Sequence, residues 1–177
     1  MRWLYRGAIA ILAVIVVAFV YQRIFGVGTV TAHLVSSRPV AAIGSGEGAV
    51  AVADDGTVLT WLSVPEDSHL PRLPIASAPK GPRVQGSVLE QVRILAAAPP
   101  ALRPYVEGSY YGESGVDVNL TSGVELRFGD STQADRKWRA AAAVLADPSV
   151  TTLDYVDLHA PARPSIGGSG YTLPPLP

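Results

Sequence analysis

The 177-residue sequence predicts an α+β fold, in which a single transmembrane helix precedes an antiparallel-rich β-sheet domain with two helices packed on one face. Three observations lead to this prediction. Residues 7–22 are uncharged and largely apolar, as a membrane span requires. Later segments alternate apolar and polar residues between turn-forming clusters, a pattern typical of antiparallel strands. Two further stretches, 87–98 and 130–147, carry apolar residues at helical spacing.

The first segment is predicted to be an uncleaved membrane anchor. A helix over Gly7–Gln22 spans about 24 Å, and Trp3, Tyr5 and Tyr21 suit the membrane interfaces. Basic residues are more numerous before the apolar run than after it, so we expect a cytoplasmic N-terminus in the plasma membrane and an extracytoplasmic domain after Phe25. A cleaved signal peptide is the alternative, although no Ala-x-Ala site follows the run. The side chains expected to contact lipid are Leu4, Ile9, Ile11, Leu12, Val14, Ile15, Val16, Val17, Phe19 and Val20.

The domain after the anchor is predicted to begin with strands. Apolar and polar residues alternate sufficiently to form a strand in Thr29–Val35 and again in Arg38–Ile43. Val50–Ala53 and Thr57–Val64 flank Asp54-Asp55-Gly56, which is a strong hairpin signal because glycine accepts the positive φ that such turns demand. The two strands should therefore pair directly.

The next segment is rich in proline. Pro65–Arg83 contains five prolines, which cannot donate to a β-ladder, so this segment is predicted to be an extended surface connection and not a central strand. Trp61, in the strand before it, is expected to pack against the domain.

A helix is predicted to follow. Ser87 and Glu90 have the spacing of a capping box, and Pro99-Pro100 ends the helical pattern. Its apolar face is predicted to comprise Val88, Val92, Leu95 and Ala96.

Three strands, Tyr105–Tyr111, Ser114–Leu120 and Val124–Phe128, are then predicted to form an antiparallel meander. The alternation sets the register of the last pair, which should place Val118 opposite Leu126, Val116 opposite Phe128 and Asp117 opposite Arg127 on the outer face.

The stretch Gly123–Leu158 is predicted to form a strand, a helix and a second strand. Asp130 is expected to cap the helix, with Gln133 completing a capping box. Trp138 lies on the apolar stripe of the helix, Asp147-Pro148 ends it, and Thr152–Leu158 again has the character of a strand.

No constellation of catalytic residues is evident. The net charge is −1 without a basic patch, which argues against nucleic acid, and cysteine is absent. His33, His69 and His159 lie in unrelated segments, so neither a metal nor a cofactor is expected. Ser36 and Ser37, just beyond the anchor, leave an anchored envelope serine hydrolase as an alternative to a non-enzymatic protein.

Five short motifs occur in a characteristic order. They are Val35–Ala41, Leu70–Pro74, Val124–Gly129, Gln133–Leu145 with Lys137 near its start, and Tyr155–Leu158 followed by Pro161 and Pro164. In order and spacing they resemble the bacterial cell-division protein family FtsQ/DivIB, over about Thr29–Gly168. The family carries a small POTRA domain between anchor and β-domain, whereas only residues 26–37 separate Phe25 from Arg38 here. We therefore expect most of the POTRA domain to be missing.

The resemblance implies four regions: an anchor with a cytoplasmic stub (1–25), a linker or POTRA remnant strand (26–38), an FtsQ-like β-domain (39–168) and a Pro-rich tail (169–177). It also implies a divisome scaffold without enzymatic activity or small-molecule substrate, located at the division septum, with FtsB-like and FtsL-like partners. A degenerate paralogue without a divisome role is a further alternative.

In the family, a strand of FtsB adds to the sheet edge formed by the final strand. The physical basis is β-augmentation, in which unpaired backbone groups of an edge bind an incoming strand. The matching residues here are Asp157, Leu158, His159, Ala160, Pro161, Ala162, Arg163, Pro164, Ser165, Ile166 and Gly167.

Overall fold

The computed structural model describes residues 37–75, 79 and 81–171. The predicted anchor and the predicted strand Thr29–Val35 lie outside these residues. Within the described part, no helix is both long enough and apolar enough to cross a membrane.

The described chain forms a single mixed sheet of nine strands and two α-helices. The strands are β1 (Pro39–Ile43), β2 (Val50–Ala53), β3 (Val58–Ser63), β4 (Arg72–Leu73), β5 (Val106–Gly112), β6 (Gly115–Leu120), β7 (Glu125–Gly129), β8 (Tyr155–Asp157) and β9 (Ser165–Gly167). The helices are α1 (Gly86–Ala96) and α2 (Ala134–Leu145). The strand order is β3-β2-β1-β4-β5-β6-β7-β8-β9. The pairs β1–β4, β4–β5 and β7–β8 are parallel, and the other neighbouring strands pair antiparallel. The α+β prediction is therefore confirmed, and the sheet is mixed but mainly antiparallel.

Both helices share one apolar core with the sheet. Trp138 of α2 is fully buried, its ring centroid lies 5.0 Å from that of Phe128, and its Nε1–H donates to the carbonyl of Ile94 in α1 at 2.8 Å. A smaller apolar cluster around Ala51 and Leu59 covers the opposite face of the β1–β3 end. The packing of Trp138 thus joins the two helices to each other and to β7.

The predicted hairpin is confirmed. Gly56 has a φ of +84°, and the N–H of Ala53 donates to the carbonyl of Thr57 at 2.9 Å across the turn. Beyond the turn, Thr60–Leu62 bulge away from β2, because Ala51 pairs with Leu59 whereas Val50 pairs with Ser63. The expectation that Trp61 packs is wrong, since the bulge leaves that side chain 78% exposed.

The prediction that the proline-rich segment contributes no central strand is also wrong. Arg72 and Leu73 form β4 between β1 and β5, at the centre of the sheet. Proline lacks a donor but keeps its carbonyl, and the carbonyl of Pro71 accepts from the N–H of Ala42 at 2.9 Å. A two-residue parallel strand therefore fits between two prolines.

Both predicted capping boxes are absent. Helix α1 begins at Gly86, so Gln85 and not Ser87 is its N-cap, and Glu90 instead accepts a hydrogen bond from the N–H of Ser131 at 2.9 Å. Helix α2 begins after Gln133, whose φ is +54° and whose side chain does not cap. In α1 a partner distant in sequence holds the side chain that local spacing assigned to the cap, whereas Gln133 of α2 accepts from the nearby Arg136 at 3.1 Å.

The predicted Asp130 cap is replaced by an ion pair. Asp130 accepts from the N–H of Thr132 at 3.0 Å and from Nζ of buried Lys137 at 2.7 Å, and Nζ also donates to the carbonyl of Phe128 at 2.8 Å. The hydrogen bond from Lys137 lowers the pKa of Asp130 to about 2. This pair connects the end of β7 to the first turn of α2.

The predicted register of the meander is confirmed at two of its three positions. Val118 pairs with Leu126 and Asp117 with Arg127, but a bulge places Val116 opposite Gly129 and not Phe128. Asp117, expected on the outer face, is 7% exposed. Its burial, followed by the charge of Glu125, raises its pKa.

Candidate binding edge of the sheet

Strand β9 forms one end of the sheet. It pairs antiparallel with β8, with Tyr155 opposite Gly167, Val156 opposite Ile166 and Asp157 opposite Ser165. None of the described strands pairs with its other side. Ile166 is 47% exposed. The backbone of β9 is therefore positioned as an open edge with an apolar side chain at its middle residue.

The connection from β8 to β9 contains the remaining residues predicted to bind a partner. Leu158 is fully buried, and its N–H donates to the carbonyl of Arg127 at 2.8 Å, so it fixes the start of the loop and offers no surface. The loop turns through a hydrogen bond of 2.9 Å from the N–H of Arg163 to the carbonyl of Ala160. The exposed predicted residues are His159, Ala160, Ala162, Arg163, Ser165 and Ile166, and the half-buried ones are Asp157, Pro161, Pro164 and Gly167.

A cationic groove lies beside this loop. It has a volume of about 730 Å³ and is lined by Arg136 and Arg139 of α2 and by His159, Ala160 and Pro161. The sequence placed these arginines only on the polar side of the helix. Their position next to the edge depends on how α2 crosses the sheet, so no local signal could have indicated it.

A polar cluster supports the strands behind the edge. The guanidinium of Arg127 stacks over the ring of Tyr155 at 3.8 Å from its centroid, and its Nε donates to Glu125 at 2.5 Å. The hydroxyl of Tyr110 donates to the same carboxylate. Burial opposes the charge of Glu125, but these two donors hold its pKa below the usual range. The cluster joins β5, β7 and β8, and sequence reasoning missed Tyr155 and Tyr110 because their partners lie on other strands.

His159 closes the β8 end of the loop. Its Nδ1 lies 2.8 Å from Oδ1 of Asp157, and its Nε2 lies 3.2 Å from the carbonyl oxygen of Ser114. Because both ring nitrogens face oxygen acceptors, the imidazolium is favoured, and Asp157 followed by the Ser114 carbonyl raises the pKa of His159. Burial opposes the charge of Asp157, yet the N–H and ring of His159 hold its pKa below the usual range.

The far end of β9 is closely packed. A Cβ added at Gly167 would lie 2.6 Å from the hydroxyl oxygen of Tyr155, so only glycine fits without displacement. Beyond β9, the N–H of Gly170 donates to Asp154 at 2.6 Å and the N–H of Leu153 donates to the carbonyl of Tyr171 at 3.0 Å. Up to Tyr171, the last residue that the structure describes, the chain thus returns to β8 after β9 without covering the outer side of β9.

The residues considered for chemistry lie partly outside the described part of the chain. Ser36 and His33 lie outside the described residues, Ser37 precedes β1, and His69 lies in the segment before β4. Among the described residues, no group of three or more His, Cys, Asp or Glu side chains could hold a metal ion.

Comparison with known proteins identifies the family. The sequence model described as cell division protein FtsQ/DivIB, C-terminal, matches residues 41–159. The chain belongs to the FtsQ/DivIB family. The match begins within β1, runs through β8 and ends before β9. No curated protein matches the chain.

Among solved structures, a distant likeness is found to a DivIB domain. It is the major extracytoplasmic domain of the trans isomer of the bacterial cell-division protein DivIB from Geobacillus stearothermophilus. The likeness covers 50% of this chain and 74% of that chain, at 19% sequence identity and a TM-score of 0.37.

Proposed function

We propose that this FtsQ/DivIB family member is a membrane-anchored division scaffold without enzymatic activity, and that it binds partner proteins through β9 during septum formation. The proposed partner is a strand from an FtsB-like protein, itself paired with an FtsL-like protein. Residues 1–25 would anchor the chain in the plasma membrane, residues 26–38 would link anchor and domain, and residues 39–168 would form the extracytoplasmic β-domain, followed by the tail 169–177.

The observation that carries the proposal is the open side of β9. An incoming strand would pair with backbone groups there, and main-chain hydrogen bonds would supply much of its affinity. Ile166 would give it an apolar contact, worth about 1.5 kcal/mol or more when fully buried. Pro161 and Pro164 limit pairing to the short stretch after them, because they have no amide to donate.

The surrounding geometry supports the same site. Leu158 and the stack of Arg127 on Tyr155 hold β8 rigidly, so β9 rests on a well-packed neighbour. The groove lined by Arg136 and Arg139 adds positive charge next to the edge. A partner strand followed by acidic residues would complement both features.

Site-specific photocrosslinking in the native host tests the proposal. A photoreactive residue at Ser165 should give an adduct with an FtsB-like protein, whereas one at Ser63 should not. Ser63 is a matched control because it is an exposed serine in β3, at the opposite end of the sheet. Septal localisation without any adduct at Ser165 would contradict the edge proposal.

Substitution of Ile166 tests the edge proposal quantitatively. Ile166→Asp should weaken partner binding by about tenfold or more, because it removes an apolar contact worth about 1.5 kcal/mol or more and adds a charge that has to be desolvated. Ile166→Val, which keeps an apolar β-branched side chain, should bind nearly as wild type. Affinity of detergent-solubilised full-length protein for the co-purified partner pair measures both.

A further inference from the structure

A second cleft lies away from β9, between β1, the segment just before β4, the start of β5 and the end of α1. It has a volume of about 340 Å³. Apolar side chains line much of it, namely those of Val40, Leu70, Leu95 and Val106. Two arginines, Arg38 and Arg103, line it as well. An apolar cavity with two cationic groups is suited to a ligand that is both apolar and anionic.

Both guanidinium groups are held by backbone carbonyls at or just beyond the C-terminal end of α1, which ends at Ala96. Nη2 of Arg38 donates to the carbonyl of Ala96 at 3.0 Å, and Nε of Arg103 donates to the carbonyl of Ala98 at 2.9 Å. The carbonyl of Ala96 is one of those at the C-terminal end of the helix, which are unsatisfied within the helix and attract cations. The arginines are therefore oriented by backbone acceptors, and each keeps further N–H donors for a ligand.

The positive charge of the pair is not neutralised nearby. No carboxylate of the described residues forms an ion pair with Arg38 or Arg103. Burial, followed by the charge of Arg38, lowers the pKa of Arg103, which indicates that the two cations repel each other. A bound anion would relieve that repulsion.

We propose that the Arg38–Arg103 cleft binds an acidic side chain of a partner protein together with an adjacent bulky apolar side chain. The guanidinium fork matches a carboxylate in a bidentate manner, and the lining of Val40, Leu95 and Val106 accepts the apolar neighbour. The volume is at the lower end of the roughly 300–1,000 Å³ typical of ligand pockets, which suits one or two side chains better than a whole phospholipid.

This site is separate from the β9 edge. Strand β5 lies four positions from β9 in the sheet, which corresponds to about 19 Å at the usual strand spacing. A protein that occupies the cleft could therefore bind while a strand is paired with β9.

Peptide titration of the full-length protein tests the cleft. The protein, isotope-labelled at arginine, is placed in nanodiscs of zwitterionic phosphatidylcholine and titrated with acetyl-Phe-Glu-Phe-amide. We expect the side-chain Nε–H signals of Arg38 and Arg103 to shift together. The isosteric peptide acetyl-Phe-Gln-Phe-amide should bind at least tenfold more weakly, and added salt should weaken only the acidic peptide.

Variants assign the effect to the two arginines. Arg103→Gln should weaken binding of the acidic peptide at least tenfold, and Arg103→Lys should give an intermediate loss because it keeps the charge without the fork. The matched control is Arg93→Gln, since Arg93 is an exposed arginine of α1 outside the cleft. Should Arg103→Gln fail to fold, Arg103→Lys and the glutamine peptide still decide the matter.

Three outcomes would overturn the proposal. The first is equal binding of the glutamate and glutamine peptides, and the second is a loss of peptide affinity in Arg93→Gln as large as that in Arg103→Gln. The third is a shift of the two arginine signals in phosphatidylglycerol nanodiscs that added peptide does not reverse. The last result would assign the cleft to a lipid headgroup. Ile166→Asp should leave peptide affinity within twofold of wild type, so a failure at the β9 edge remains distinguishable from a failure here.

Discussion

The two ends of the nine-stranded sheet differ in how their edges are protected. At the β3 end, a neighbouring segment lies along the strand: the N–H of Val58 donates to the carbonyl of Pro82 at 2.8 Å, and Arg83 pairs with Asp55 at 2.9 Å. The bulge over Thr60–Leu62 interrupts the rest of that edge. At the β9 end, none of the described residues continues the ladder.

This difference indicates which edge is available to a partner strand. Bulges and covering segments are devices by which proteins prevent unwanted strand pairing. The β3 end uses both, although its exposed Trp61 makes it look more suitable for binding. In the part of the chain that the structure describes, the β9 end has only its short length and two nearby prolines, which restrict strand pairing without blocking it.

Truncation of the buried leucine behind each edge should produce the largest effect. Leu158→Ala and Leu59→Ala each leave a cavity in well-packed surroundings and should lower the free energy of unfolding by about 2–5 kcal/mol. Only Leu158→Ala should also increase hydrogen exchange at the amides of Ser165–Gly167. Denaturant titration and exchange on the detergent-solubilised protein measure the two effects, and equal exchange at β9 in both variants would contradict the assigned role of Leu158.

A methyl group added at Gly167, where β9 packs against Tyr155 of β8, should have the next largest effect on stability. Gly167→Ala forces its Cβ against the ring of Tyr155 and should cost about 1–3 kcal/mol of unfolding free energy. Gly48→Ala is the control near the other end, because nothing lies within 4 Å of its added Cβ. If thermal denaturation shows equal stability for both variants, β9 is not packed as described.

The smallest expected effect is a pH dependence of stability that, near neutral pH, is confined to the β9 end. The pKa of His159 is higher in the folded protein than in the unfolded chain, where it is about 6.5. The contribution of His159 to the free energy of unfolding is therefore complete below about pH 6.5 and is lost as pH rises through the pKa of the folded protein. The pKa of Asp55, at the β3 end, is lowered, first by the N–H of Thr57, so its contribution is lost only in acid, as pH falls through its folded value.

Unfolding free energies between pH 6 and pH 8 measure this contrast. The difference between wild type and His159→Gln should shrink as pH rises, whereas that between wild type and Asp55→Asn should stay constant. His159 is partly exposed, so the change should remain under about 1 kcal/mol. A constant difference for His159→Gln would show that its imidazolium is not stabilised by Asp157.

Elements whose partners are close in sequence were predicted well. The hairpin at Gly56 and the pairing of Asp117 with Arg127 follow from alternation and turn chemistry, since a short turn leaves few possible registers. The one register error, at Val116, arises from a bulge, which inserts a residue without a clear local signal.

The candidate site was predicted only in part. The sequence resemblance indicated the stretch 157–167, and the structure places Ser165–Gly167 of it in a terminal strand. The resemblance could not indicate that Leu158 is buried or that Arg136 and Arg139 lie beside the loop, because both positions depend on how α2 packs against the sheet.

By itself, the sequence determined the α+β class of the β-domain, the order of the elements from α1 to β8, the two helices and their ends near proline, and the resemblance to a division-protein family. These features rest on periodicity and on the missing amide of proline, both of which act locally. Only the tertiary structure decided that Arg72 and Leu73 lie at the centre of the sheet, that Glu90 bonds Ser131 and that Arg38 and Arg103 meet at one helix end. Each of these depends on a partner far along the chain, whose position no local pattern encodes.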